Sequence, residues 1–317
     1  MFQKWKSDFK KSGLVTGSLS YAERVKVPGS DGQSVLNVAR FFVKGLSDGA
    51  LALRASAISF QIIMAFFPTI ILLFSLIPYI SADFQDLLLQ YIFQVIPSEA
   101  SSLFGDAIVD LVMNKRQGVL SITFILVFYY ASRSVSAILA AFSESVNLVN
   151  KRHPFKQFLV SLLIMLVFAI LVITALSLVT ISDWLDSYLS DHKIIEFQFQ
   201  RVFFYLLNYL IIFVLFMLAI SLLYNVGNVD AKSWTVLSAG TLVAAVLMIL
   251  LSFGFAYFVT NYASYDQLYG YVGSIIIFCL WIYFNSMVLL IGFELNASIS
   301  KGILSLKLKE ESLVVQN

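Results

Sequence analysis

The chain has 317 residues, of which 59% are hydrophobic and only 13% charged, with a formal net charge of +2. Soluble domains carry about 25% charged residues, so this composition excludes an ordinary soluble enzyme, and the small net charge argues against a nucleic-acid partner. One cysteine, Cys279, excludes intrachain disulfides and cysteine-rich zinc sites.

Residues 1–33 are polar and rich in Gly and Ser, with Lys4, Lys6, Lys10 and Lys11 near the start. No apolar stretch follows for about 40 residues, so a mobile segment is expected here rather than a cleaved signal peptide. Leu36, Phe42, Val43 and Leu46 then fall on one side of a helix, with Arg40 and Lys44 placed to meet lipid phosphates.

Apolar runs follow at about 55–80, 118–143, 157–181, 202–224, 235–259 and 273–298. Each matches the ~20 residues that cross ~30 Å of hydrocarbon. Continuous apolar runs lack the alternation of a membrane barrel, and only helices otherwise satisfy their backbone in lipid. The expected fold is all-α: a polytopic domain of six transmembrane helices over residues 34–300, followed by a tail at 301–317. Between the first two runs, residues 84–113 show two amphipathic repeats broken at Pro97. They predict a pair of surface helices.

Lysine and arginine set the orientation. With six spans, sixteen basic residues fall in the two termini and the second and fourth loops, against four in the other three loops. The positive-inside rule then places both termini in the cytoplasm. Tyr79 and Trp184 lie near the outer boundary and Tyr224 and Trp234 near the inner one, where amphipathic rings favour the headgroups.

The remaining basic residue is Arg133, about 15 residues and roughly 22 Å into the second span. A charge at that depth costs about 2.5–3.5 kcal/mol on insertion scales, so protein, water or an anionic ligand is expected to meet it. Ala137, Ala140, Glu144 and Asn147 continue its stripe at helical spacing, and Ser132, Ser136 and Ala140 form an overlapping ridge of small residues. Glu294, near the inner end of the last span, is a candidate partner for Arg133. Pro68 predicts a kink in the first span. Gly240/Ala244 and Ser252/Ala256 are small pairs suited to close helix approach. Walker, nucleophile-elbow and HExxH motifs are lacking, and the two histidines, His153 and His192, fall on opposite sides. No metal site, cofactor or catalytic residue is expected.

Three segments resemble the YihY/virulence factor BrkB family of bacterial inner-membrane proteins. They are SDGALALRASAISFQIIMAFFPTIILLFSLIP, YYASRSVSAILAAFSESVNLVNKRHPFKQFL and the block from Trp234 to Ile299. The last is the most specific: Tyr269–Gly270, Trp281 and Gly292, Glu294, Leu295 and Asn296 fit the family's YG…W…GxELNA pattern. Ala65–Phe67 depart from the Ser-Leu-aromatic sequence common before the family's proline. The resemblance implies six spans and a bacterial inner-membrane location. It also brings a ribonuclease BN label and an association with envelope lipid handling.

The expected function is non-enzymatic and transporter-like: moving or admitting an anionic or lipid-like envelope component. Membrane lipids are the expected partners, and Arg133, Glu144, Asn147, Glu294 and Asn296 the candidate ligand residues. A scaffold for an envelope complex is the alternative. A membrane-bound ribonuclease fits less well, because the sequence has no His/Asp metal cluster and no basic groove lined with stacking aromatics.

Overall fold

A computed structural model describes residues 50–95, 98–146, 153–191, 198–227, 235, 237–262 and 271–315. Among them, the elements are α1 (Leu51–Leu76), a 3-10 turn (Ile77–Tyr79), α2 (Ala82–Val95), α3 (Ser98–Met113), α4 (Gln117–Val146), α5 (Pro154–Asp191), α6 (Gln198–Gly227), α7 (Ala239–Tyr262) and α8 (Tyr271–Val315). The described residues contain no strand.

Six helices are long and apolar enough to cross a membrane, over Leu51–Tyr79, Gln117–Glu144, Pro154–Ser182, Leu206–Gly227, Ala239–Thr260 and Ile275–Ser300. Large apolar side chains along them stay exposed, Leu163, Ile170, Ile173 and Leu176 of α5 each by more than 60%. Water would penalise such a surface, whereas hydrocarbon solvates it. The chain is a multi-pass, all-α membrane protein.

Local chemistry sets several helix starts. Pro154 occupies the first position of α5, where its missing N–H costs nothing, and Gln157 N–H closes the first turn on His153 O. Ser81 caps α2, its hydroxyl 3.4 Å from Phe84 N, and Asp83 in the first turn suits the positive end of the helix dipole. Ala50, ahead of α1, adopts a left-handed φ of 42° while its carbonyl accepts bonds from Leu53 and Arg54 N–H.

The chain divides into two compact units: Ala57–Ala137 with His153–Met165, and the remainder. In the first unit, Ile77, Leu89 and Val112 form a small core joined by Phe74, Leu88 and Ile108. This core ties the α2–α3 hairpin to the end of α1, and the two expected surface helices are present. Gly105 faces the Phe93 ring, and a Cβ added there would sit 3.4 Å from it. The hydroxyl of Ser134 bonds Gln61 O at 2.7 Å, so a polar side chain of α4 reaches the backbone of α1. α1 runs on through Pro68 as one helix, and the Thr69 hydroxyl donates to Ala65 O one turn back.

The second unit is centred on α6, α7 and α8. Phe142, Phe293, Leu139, Leu290 and Thr241 are almost fully buried in it. The last helix is the longest of those described. It runs unbroken for 45 residues from Tyr271 to Val315, so the segment expected as a tail at 301–317 is helical as far as Val315. The expected helix at residues 36–46, the segment 1–33 and the Tyr269–Gly270 pair lie outside the described residues.

Candidate functional site

Arg54 sits in the first turn of α1. A cation there opposes the helix dipole, so it needs compensation from elsewhere. Two groups supply it: Arg54 Nη2 donates to Glu294 Oε1 at 2.8 Å and Nη1 donates to Ala141 O at 2.9 Å. The side chains of Arg54 and Glu294 are 5% and 2% exposed. Ala141 lies in the last two turns of α4, where carbonyl oxygens point toward the negative end of that helix's dipole and favour a cation. One guanidinium thereby joins α1, α4 and α8.

This corrects the expected pairing. Glu294 binds Arg54, not Arg133, and it is buried. With the first span taken from residue 55, Arg54 falls among the charges of the N-terminal segment. A signal was present in the sequence: Arg54, Ala55, Ile58 and Ser59 share one face at helical spacing, and all four are buried.

Around the ion pair, Gly292, Phe293 and Asn296 of the GxELNA segment make further joints. The Phe293 ring stacks on Phe142 with centroids 4.0 Å apart, and Tyr224 meets both edge-on at 5.6 and 5.5 Å. Tyr224 donates its hydroxyl proton to Leu289 O at 2.7 Å. Gly292 and Gly240 let α8 and α7 approach through their backbones: a Cβ on Gly240 would overlap Gly292 O, and one on Gly292 would overlap Tyr224 Oη and come within 2.7 Å of Ala244 Cβ. The Gly240/Ala244 pair is the expected close-packing site, whereas Ala256 of the other pair is exposed.

Asn296 caps α7 from the neighbouring helix. Its Oδ1 accepts from Gly240 N at 2.8 Å, and its Nδ2 donates to Ser238 Oγ at 2.7 Å. Ser238 is the helix's own N-cap, with Oγ 3.2 Å from Thr241 N. The four N–H groups at a helix start lack partners within the helix, and these contacts meet two of them. Nearby, Asn225 Nδ2 donates to Thr235 O and Asn225 Oδ1 accepts from Thr235 N, both at 3.0 Å, holding the chain that leads into α7.

The other candidates are placed differently. Arg133 is exposed on α4, and among the described residues it has no carboxylate within ion-pair distance. Glu144 is exposed eleven positions further on, Ala137 is half-buried and Ala140 exposed. Asn147 lies outside the described residues. Ser132, beside Arg133, is fully buried, and its hydroxyl has no hydrogen-bond partner among the described residues. Among the described residues no three His, Cys, Asp or Glu side chains gather as a metal site would require. Outside the spans, Arg116 Nη2 bonds Asp110 Oδ1 at 2.6 Å. That bond, with help from Asn114, holds the Asp110 carboxyl below its usual range and raises the Arg116 guanidinium.

Buried ion pair, close glycine crossing and inter-helix cap together define a polytopic helical membrane protein whose helix ends are tied by side chains of the last span. The chain belongs to the family described as Virulence factor BrkB, which it matches over residues 42–312. It is 23% identical over 251 residues to the ribonuclease-like protein YfkH of Bacillus subtilis, covering 78% of this chain and 90% of that one. A shorter stretch of 80 residues is 36% identical to a UPF0761 membrane protein of Kangiella koreensis, over 25% of this chain and 20% of that one. Another, of 84 residues, is 37% identical to the UPF0761 membrane protein PSHAa0171 of Pseudoalteromonas translucida, over 26% and 28%. The chain thus spans most of YfkH but under a third of these UPF0761 proteins. No solved structure matches.

Proposed function

We propose that this is a non-enzymatic, transporter-like protein of the bacterial inner membrane, with both termini cytoplasmic, that moves or admits an anionic, lipid-like envelope component at Arg133. One observation carries the reading. Of two arginines held in membrane spans, Arg54 is neutralised inside the protein by Glu294, whereas Arg133 is exposed and without a carboxylate among the described residues. Arg133 lies eleven residues, about 16 Å of helix, from Glu144. An arginine at that depth reaches toward the headgroup layer along its apolar stem, where a lipid phosphate or carboxylate is the anion at hand.

The test is lipid retention. Protein reconstituted in phosphatidylcholine nanodiscs containing some phosphatidylglycerol is released into detergent, and its co-purifying lipids are counted by native mass spectrometry. Wild type is expected to keep the anionic lipid, Arg133→Gln to lose about ten-fold of it, and Arg133→Lys to fall between, since one charge-assisted contact is worth roughly 1.5–3 kcal/mol. Equal retention in all three would remove Arg133 from the mechanism. The name of YfkH supplies the competing enzyme reading. Metal-dependent trimming of RNA by the purified protein would establish that reading instead.

A further inference from the structure

The α2–α3 hairpin has more apolar surface than its own core uses. On α2, Leu89 is buried, while Phe84, Leu87 and Tyr91 are 40, 51 and 59% exposed. These three recur at spacings of three and four, so they form one ridge beside the buried face. The exposed Asp83, Asp86, Gln90 and Gln94 occupy the remaining side of the same helix. The helix thus has three faces: one on the protein core, one apolar and uncovered, one polar.

Two further observations say what covers the apolar face. The hairpin is tethered to membrane spans at both ends: only Ile80 and Ser81 separate the 3-10 turn of the first span from α2, and only Asn114, Lys115 and Arg116 separate α3 from α4. The chain leading into the hairpin is apolar and uncovered as well: Leu73 and Leu76 of α1 and Ile80 beyond it are 44–58% exposed. The Tyr79 ring marks the water boundary there, with Lys115 Nζ 5.3 Å from its centroid. The polar face of α2 carries Asp83 and Asp86, and the helix has no Lys or Arg, so the side presented to headgroups is acidic.

We infer that the α2–α3 hairpin is a lipid-surface module: α2 lies along the bilayer interface with Phe84, Leu87 and Tyr91 inserted, on a surface of uncharged or zwitterionic rather than anionic headgroups. Interfacial helices ordinarily carry lysine and arginine on the polar face and gain affinity from anionic lipid. Here the polar face reverses that sign, so anionic lipid repels it. The apolar ridge supplies the attraction, and the aspartates supply the selection.

Spin labels at single cysteines test this in the full-length protein carrying Cys279→Ser, or Cys279→Ala should the serine variant lose its fold. Leu87→Cys and Tyr91→Cys report the ridge, and Asp86→Cys and Gln90→Cys report the polar face; all four positions are exposed, so the core is untouched. In phosphatidylcholine nanodiscs, collision with oxygen relative to a water-soluble nickel chelate is expected to be several-fold higher at 87 and 91 than at 86 and 90. Dominant nickel collision at all four would put the hairpin in water. Shielding of 87 and 91 from both reagents would show a second copy or another protein covering the ridge. Either result overturns the inference. Replacing half the lipid with phosphatidylglycerol at low ionic strength is expected to move 87 and 91 toward water, and added salt to reverse the shift. No shift, or deeper insertion, would overturn the headgroup selection.

Discussion

Arg54 and Glu294 stand 240 positions apart in the chain and 2.8 Å apart in the fold, both almost stripped of solvent. Burying either charge alone is costly, so the pair acts as a condition on folding: the start of the first span and the end of the last must arrive together. Arg54→Ala and Glu294→Ala are each expected to destabilise the protein by about 3–5 kcal/mol, because each leaves one buried charge uncompensated. Replacing both by Met and Leu should cost clearly less than the sum. Denaturant unfolding in mild detergent, run as a double-mutant cycle, measures the coupling; additive losses would contradict it.

The glycine crossing predicts a graded series. Gly240→Ala and Gly292→Ala must push α7 from α8 and are expected to cost about 1–3 kcal/mol each. Gly254→Ala meets nothing within 4 Å and serves as the control. It should be neutral, or stabilising by up to about 1 kcal/mol through helix propensity. Thermal unfolding of the three variants side by side decides this, and equal effects would mean that the close approach does not exist.

Asn296 is expected to act through the α7 cap. Asn296→Ala should cost about 0.5–2 kcal/mol and speed amide exchange in the first turn of α7, at Gly240 and Thr241. Ser238→Ala should give the same local signature. Exchange spread evenly over α8 instead would assign Asn296 a different role.

The Asp110–Arg116 pair supplies a pH dependence. The folded carboxyl titrates below its unfolded value near 3.9. Its contribution is therefore fully present above that value and is lost as pH falls through the lower, folded pKa. The turn between α3 and α4 should keep its amide protection at pH 5 and loosen only below about pH 4, an effect that Asp110→Asn abolishes. Both groups are substantially exposed, so high salt should weaken the link at every pH.

The helices were legible because hydrocarbon imposes a length and an apolar content that a sequence displays directly. The α2–α3 hairpin was legible for a related reason, since Leu88, Ile108 and Val112 of its apolar repeats do pack in the core with Ile77. The buried Leu89 is not among the repeat's residues, however, and Leu87 and Tyr91, which are, stay exposed. Partners across the fold were not. Arg54 reads as one more basic residue before a span until the fold brings Glu294 to it, and Arg133 attracts attention because hydropathy marks its depth. Depth measures cost, not company. Asn296 likewise carried no trace of its target, because a cap contributed by a neighbouring helix has no spacing rule. Gly240, paired with Ala244, suggests a close approach, but only the packing of α7 on α8 shows that Gly292 is what it meets.

The length of α8 has a mechanical corollary. From Glu294, fixed against Arg54, the helix runs a further 21 residues to Val315, or about 31 Å. A tilt of ~10° about that pivot would swing its far end by ~5 Å, as simple lever geometry on the helical rise gives. Small changes in how the sixth span leans would thereby be amplified at the far end of the helix.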